Sequence, residues 1–444
     1  MKIQLSDHFT YRRLIRFILP TVAMMVYMSI YSIVDGFFVS NFAGKTPFAA
    51  VNLVMPVLMI LSTVGFMLGT GGTAIVAKTF GEGDGEKANR YFSLFVYTSF
   101  AVGVFFAAVA YILAPQIASM LKATGELHRN CVRYMRVVLL ALPFSIMQMM
   151  FQSFFPAAEK PKLGFLVTAA SGVLNMILDA ALCLTLPQEL KLTGAAIATA
   201  ASQTLGGVVS FAYFFSKNSS ILRLGKTRFE GRILLKACVN GSSEFMSNIS
   251  MSVVGMLYNF QLIKYAGENG VSAYGVMMYV SMIFMMVFVG FSIGVSPVIS
   301  FNYGAQNINE LKGLLKKSLI ICGTLGVIMV ASAELLAVPL ADLFVGYDAE
   351  LKTLTVSGLR IFAFGFAFMG FGIFTSGFFT ALNDGITSAI ISFVRTLLLE
   401  AAFVMLLPLV FGIDGIWYST LLAEFISLLL GVVFLIVKRK RFRY

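Results

Sequence analysis

Three polar residues stand where polar residues are costly. Asp35 interrupts the apolar run YSIVDGFFVS, and Asn175 and Asp179 interrupt SGVLNMILDAALCL. An ionised aspartate at the centre of a bilayer costs roughly 2.5–3.5 kcal/mol on insertion scales. Asn175 and Asp179 are four residues apart, so a helix puts both on one face. If the two runs cross in the same direction, both carboxylates lie in the outer half of the membrane. Two carboxylates and an amide in a low-dielectric pocket can hold one proton between them. They can also offer oxygens to a sodium ion, with Thr199 and Ser202 as further hydroxyl candidates. The plain alternative for Asp35 is a side chain that snorkels to the nearby interface.

Other polar residues fall in the second half. Glu244 lies in NGSSEFMSN, Arg395 and Glu400 in SFVRTLLLE, and Glu424 in a later apolar run. Arg395 and Glu400 are five apart, a poor helical pair, so Arg395 is expected to reach Glu424 or a carbonyl. A structural role is expected for all three. Glu244 is the better functional candidate, as a carboxylate facing a central cleft attracts cations. Gln148 and Gln152 share one helical face and suggest a polar cavity wall. Dense methionine and aromatic stretches, such as MQMMFQSFF and MMYVSMIFMMVF, suit packing, lipid, or a cavity for apolar cations.

The elements that must position these groups are membrane spans. The chain has 444 residues, 58% hydrophobic and 12% charged, which excludes an ordinary water-soluble domain. Twelve spans are read at about 14–39, 48–76, 91–115, 131–155, 162–186, 193–216, 232–263, 272–300, 315–341, 353–382, 386–410 and 414–437. Lys2, Arg12, Arg13 and Arg16, the basic stretch after the sixth span, and the tail KRKRFR then share one side. The positive-inside rule places that side, and both termini, in the cytoplasm. The net charge of +12 is thereby assigned to anionic lipid and not to nucleic acid. The four cysteines lack metal-site spacing and the two histidines lie in polar flanks, so no cofactor or haem is expected. Pro20, Pro56, Pro143 and Pro297 are expected to interrupt or kink their spans.

The chain repeats itself. GFMLGTGGTAIVAKTFGEGDGEKANR and GFSIGVSPVISFNYGAQNINELKG both close on an aromatic–Gly pair, Phe80–Gly81 and Tyr303–Gly304. Gly44 and Gly267 share the same offset, and FFPAAEKPK matches FFTALNDG at nearly that offset. An even number of spans per repeat gives two parallel lobes around an axis along the membrane normal. The expected division is a first lobe, 1–216, carrying the ion site, a cytoplasmic linker, 217–231, and a second lobe, 232–444. Tyr258 falls opposite Asp35, Leu399 opposite Asn175, and Phe403 opposite Asp179. On that register the second lobe lacks the first lobe's carboxylates.

The chain resembles the multidrug and toxic compound extrusion (MATE) family over almost its whole length. The resemblance rests on Pro20 to Asp35 with VDGFFVSNFAG, AAVNLVMPV, GFMLGTGGTAIVAKTFGEGDGEKA, ISFNYGAQN, the FFTAL to SFVR run, and FGIDGIWYSTLLAE. It implies an all-α membrane protein of two pseudo-symmetric six-helix lobes. It also implies a secondary antiporter that exports amphipathic organic cations or drugs in exchange for protons or sodium. The family's acidic position on the first helix corresponds to Asp35. Its asparagine and aspartate on the fifth correspond to Asn175 and Asp179, and the glutamate that another branch carries on the seventh to Glu244. That branch's acidic residue on the tenth helix has no counterpart in FMGFGIFTSGFF. The alternative is a flippase for lipids or lipid-linked saccharides with related architecture, which would favour a more basic cavity. An enzyme is not expected. A monomer in a bacterial cell membrane is.

Overall fold

The computed structural model describes residues 3–444, so Lys2 lies outside the described residues. Helices account for every regular element among them. In the first half these are α1 (Tyr11–Ala43), α2 (Lys45–Gly81), α3 (Gly85–Met120), α4 (Gly125–Ala157), α5 (Pro161–Thr185) and α6 (Lys191–Phe215). The second half begins with one hydrogen-bonded run, Gly231–Gly304, of 74 residues. A straight helix of that length would extend about 110 Å. Yet Gly241 abuts Met67 and Gly304 abuts Lys78, both on α2. The run must therefore fold back, and it does so at Gly267, where φ is 58° and ψ −145°. It supplies two spans, α7 (231–266) and α8 (268–304). Then come α9 (Ile308–Val345), α10 (Ala349–Ala363 and Phe366–Ala381, bent by 46°), α11 (Gly385–Phe411) and α12 (Ile413–Phe442). The result is twelve spans in two lobes of six.

The repeat has a local physical basis. Gly44 and Gly267, matched in the sequence, both hold positive φ at the turn between the first two spans of their lobe. Asp84 and Asn307 occupy matching places after those spans, and each caps the third helix. They accept from the backbone N–H of Lys87 and Glu310 at 3.0 and 3.2 Å. None of the four prolines interrupts its span. Pro20, Pro56, Pro143 and Pro297 all lie inside continuous helices. Membrane helices tolerate proline because neighbouring groups satisfy the freed carbonyl. Departures from regular α-helix lie at Gly267, at the α10 bend, and in two π-helical segments, Val39–Ala43 and Val394–Leu399.

Packing divides the molecule by depth. One hydrophobic cluster far from the termini contains only first-lobe residues, including Val39, Val54, Tyr134 and Leu192. Its counterpart contains only second-lobe residues, including Tyr258, Met277, Phe362 and Trp417. Near the termini the clusters mix. Phe9, Phe17 and Ile18 pack with Phe291, Phe378 and Tyr444, and Met24 and Met25 pack with Ile293. Four glycines make the closest approach here. A Cβ added at Gly71 or Gly81 would overlap the carbonyl of Ala237 or Phe301, and one at Gly241 or Gly304 that of Met67 or Lys78. Asn240 Nδ2 adds hydrogen bonds to the carbonyls of Gly71 (3.4 Å) and Thr380 (2.9 Å). The lobes thus join at the terminal end and have separate cores at the other.

Two irregular segments reinforce that join. The stretch before α1 donates Leu5 N–H to Glu159 Oε1 (3.0 Å) and Phe9 N–H to Glu310 Oε1 (2.9 Å), while His8 Nδ1 meets Glu310 Oε2 at 2.6 Å. It therefore straps the first lobe to α9. The basic connection between α6 and α7 is held to α3. Arg223 N–H reaches Asn89 Oδ1 at 2.8 Å, and Gly225 N–H reaches Ser93 Oγ at 3.0 Å.

Candidate functional site

Asp35, Asn175 and Asp179 come together between α1 and α5. Gly172 sets the distance. With no side chain there, Tyr27 and Tyr31 of α1 lie directly on α5, and an added Cβ would come within 2.6 Å of the Tyr27 ring. One helical turn beyond Tyr31 is Asp35. One and two turns beyond Gly172 are Asn175 and Asp179, which become its nearest polar neighbours. Asp35 is 7% exposed, Asn175 1% and Asp179 0%. Asp35 does not snorkel.

The unmet hydrogen bonding defines the site's chemistry. Asp35 Oδ1, both carboxylate oxygens of Asp179, and Asn175 Oδ1 are buried without a hydrogen-bond partner. Two carboxylates that face each other repel when both are ionised. A proton or a cation between them removes the repulsion. Thr199 and Ser202 are less available than the sequence suggested. Thr199 Oγ1 donates to the Ala195 carbonyl (3.1 Å) and Ser202 Oγ to the Thr199 carbonyl (2.9 Å). The sequence reading missed Tyr134, a fully buried phenol on α4 beside Thr199 and in electrostatic range of both carboxylates. It sits in the charged stretch RNCVRYMR, which reads as a helix flank.

Gln148 and Gln152 both point into the first lobe. Gln148 packs on Gly206 of α6, and Gln152 Nε2 donates to Met28 Sδ of α1 at 2.9 Å. Glu244 belongs to the second lobe, is only partly buried, and lies in electrostatic range of Arg395. No hydrogen bond or ion pair holds its carboxylate among the described residues. The two glutamines and Glu244 therefore occupy separate places.

Arg395 does bypass Glu400. Its guanidinium grips Glu424 on α12, with Nε–Oε2 at 2.8 Å and Nη2–Oε1 at 2.6 Å. Glu400 instead accepts from Tyr258 Oη at 2.8 Å, and Thr420 Oγ1 lies 2.8 Å from that phenol. The repeat register sets Tyr258 opposite Asp35, and the α11 carboxylate that reaches Tyr258 is Glu400, one residue after the Leu399 that falls opposite Asn175 and directly after the π segment Val394–Leu399.

Comparisons with known proteins agree with this duplicated architecture. The family model MatE matches residues 20–181 and again 245–406, once in each lobe. The multidrug export protein MepA of Staphylococcus haemolyticus (strain JCSC1435) is 24% identical over 433 residues, covering 97% of this chain and 94% of the relative. MepA of Staphylococcus aureus (strain MSSA476) is 25% identical over 436 residues, with the same two coverages. A solved outward-facing multidrug resistance MATE family transporter of the MOP superfamily is 23% identical. It superposes with a TM-score of 0.93 over 100% of this chain and 98% of the other. Two matched lobes, twelve spans and full-length relatives leave one conclusion: the chain belongs to the MatE family, a family of membrane transporters and not of enzymes.

Proposed function

We propose that the protein is a secondary antiporter that exports amphipathic organic cations or drugs in exchange for protons, through the first lobe's Asp35, Asn175 and Asp179. The observation that carries this reading is the buried pair of facing carboxylates on two different helices, three of whose four oxygens have no hydrogen-bond partner. Its charge state sets the force between α1 and α5. Both ionised, the pair pushes the helices apart; with one proton shared, they close. α1 also packs on α8 of the second lobe, where Gly290 meets Val22 and Gly294 meets Ile18. A change at Asp35 is thereby linked to the lobe interface. With the basic face in the cytoplasm, the separate cores lie toward the outside, and the join closes the cytoplasmic side. In this outward-open arrangement protons enter from outside and substrate leaves. Glu244, with no partner for its carboxylate, is the cleft residue assigned to attract the cationic substrate, and such a group disfavours the phosphate of a flipped lipid.

The test is efflux of a fluorescent organic cation from proteoliposomes, under a pH gradient or a sodium gradient imposed separately. Wild type should respond to the pH gradient, and D35N/D179N should lose that response while keeping its elution profile. A response to sodium alone would replace the proton by sodium at the same oxygens. Efflux that survives in the double variant overturns the site. The absence of efflux under both gradients overturns the antiport reading.

A further inference from the structure

The second lobe contains a buried carboxylate that the reading above does not use, Glu400. The guanidinium in its electrostatic range, Arg395, is held by Glu424 with three hydrogen bonds of 2.6–3.0 Å. Glu400 is left without a cationic partner in a membrane span. Its neighbours come from every helix around it. α7 contributes Tyr258, whose phenol donates at 2.8 Å, and α12 contributes Thr420, whose hydroxyl lies 3.5 Å from the same oxygen. Tyr274 of α8 stacks on Tyr258 with ring centroids 4.8 Å apart and planes 5° from parallel. Arg395 on α11 and Glu424 on α12 complete the charged surroundings.

We propose that Glu400 is a second proton-binding site, with Tyr258 and Thr420 as its positioning residues. Two observations beyond the charge count support it. Tyr258 stands at the repeat position of Asp35, so both lobes put a carboxylate at the contact between their first and fifth helices. The two π segments among the described residues flank these carboxylates: Val39–Ala43 follows Asp35 closely, and Val394–Leu399 ends immediately before Glu400. The balance is simple: one proton binds one Glu400 oxygen, no other bond changes, and Tyr258 keeps its own proton.

The proposal rests on the proton-coupled reading, but it can be tested apart from transport. The whole protein in lipid nanodiscs is titrated from alkaline to acid pH, and bound protons are counted by potentiometry. An ordinary glutamate protonates near pH 4.3, so the window above about pH 5 is diagnostic. E400Q should take up one proton fewer per chain than wild type in that window, and D35N/D179N should retain that proton. The chain's single tryptophan, Trp417, lies one turn before Thr420 in the second lobe. Its fluorescence should show a pH transition that E400Q loses. Y258F removes a donor to the ionised form and should move that transition up by about one pH unit. A merely structural Glu400 would leave the count unchanged. Equal proton uptake by wild type and E400Q overturns the proposal, whatever the efflux assay returns. Loss of efflux with the Glu400 proton intact overturns the antiport reading and leaves this site standing.

Discussion

At the scale of single residues, the two lobes treat buried charge in opposite ways. The first leaves Asp35 and Asp179 face to face without a cationic partner among the described residues, while the second spends a bidentate ion pair on Glu424. Arg395 is 9% exposed and Glu424 3%, so removing either leaves a buried charge behind. R395A should therefore lower stability by about 3–5 kcal/mol. Thermal unfolding in detergent would measure it, and R395M/E424L, which removes both charges, should recover most of the loss. The burial and convergence of Asp35, Asn175 and Asp179 were legible in the sequence because a charge in an apolar run is costly wherever it lies. Their shared face was legible too, from the spacing of Asn175 and Asp179. The places of Tyr134 and Glu400 were not. Tyrosines are common at span ends, and the contact of Glu400 with Tyr258 joins residues 142 apart in sequence, with no local pattern to announce it.

At the scale of elements, the spans were legible from hydrophobic length and the lobes from the repeat. The turn at Gly267 follows from its match to Gly44, although hydrogen bonding runs on through it. The continuity at proline was not legible, because the sequence shows the lost donor but not the neighbours that compensate. Nor were the helix contacts at Gly71, Gly81, Gly241 and Gly304, since glycine in a span reads equally as a bend or as a close approach. Here the answer is close approach, and it has a testable cost. G241A should wedge α7 off α2 and bias the lobes toward separation at the terminal end. After replacement of the four native thiols, which are all free, spin labels on the far ends of α1 and α7 would report it. Their separation should shorten relative to wild type; an unchanged distance would mean that the backbone shifts to absorb the methyl.

For the whole molecule, the strap before α1 matters as much as the helices. It bonds to Glu159 in the first lobe and to Glu310 in the second, across the end where the lobes meet. Lys317 Nζ adds a bond to the Phe9 carbonyl at 2.5 Å. Any opening of that end must release one set of these bonds. E310A removes the acceptor for both His8 and Phe9, so it should speed alkylation of a single cysteine introduced between α2 and α8. It should leave alkylation at the far end of the cleft unchanged or slower. Equal rates at both ends in the variant and wild type would show that the strap carries no part of the closure.

The glycine contacts also limit how the protein can adapt under drug selection. Residues lining the cleft can change size and polarity one at a time, and each change resamples which compounds are accepted. The contact between α2, α7 and α8 has no side chain to vary: its smallest available substitution is a methyl group pressed against a neighbouring carbonyl. On the proposed antiport, a poorly seated seal would let the ion gradient run down without work being done on any drug. Broader or narrower compound range should then arise above this floor, while changes within it would lose the energy source for every compound alike.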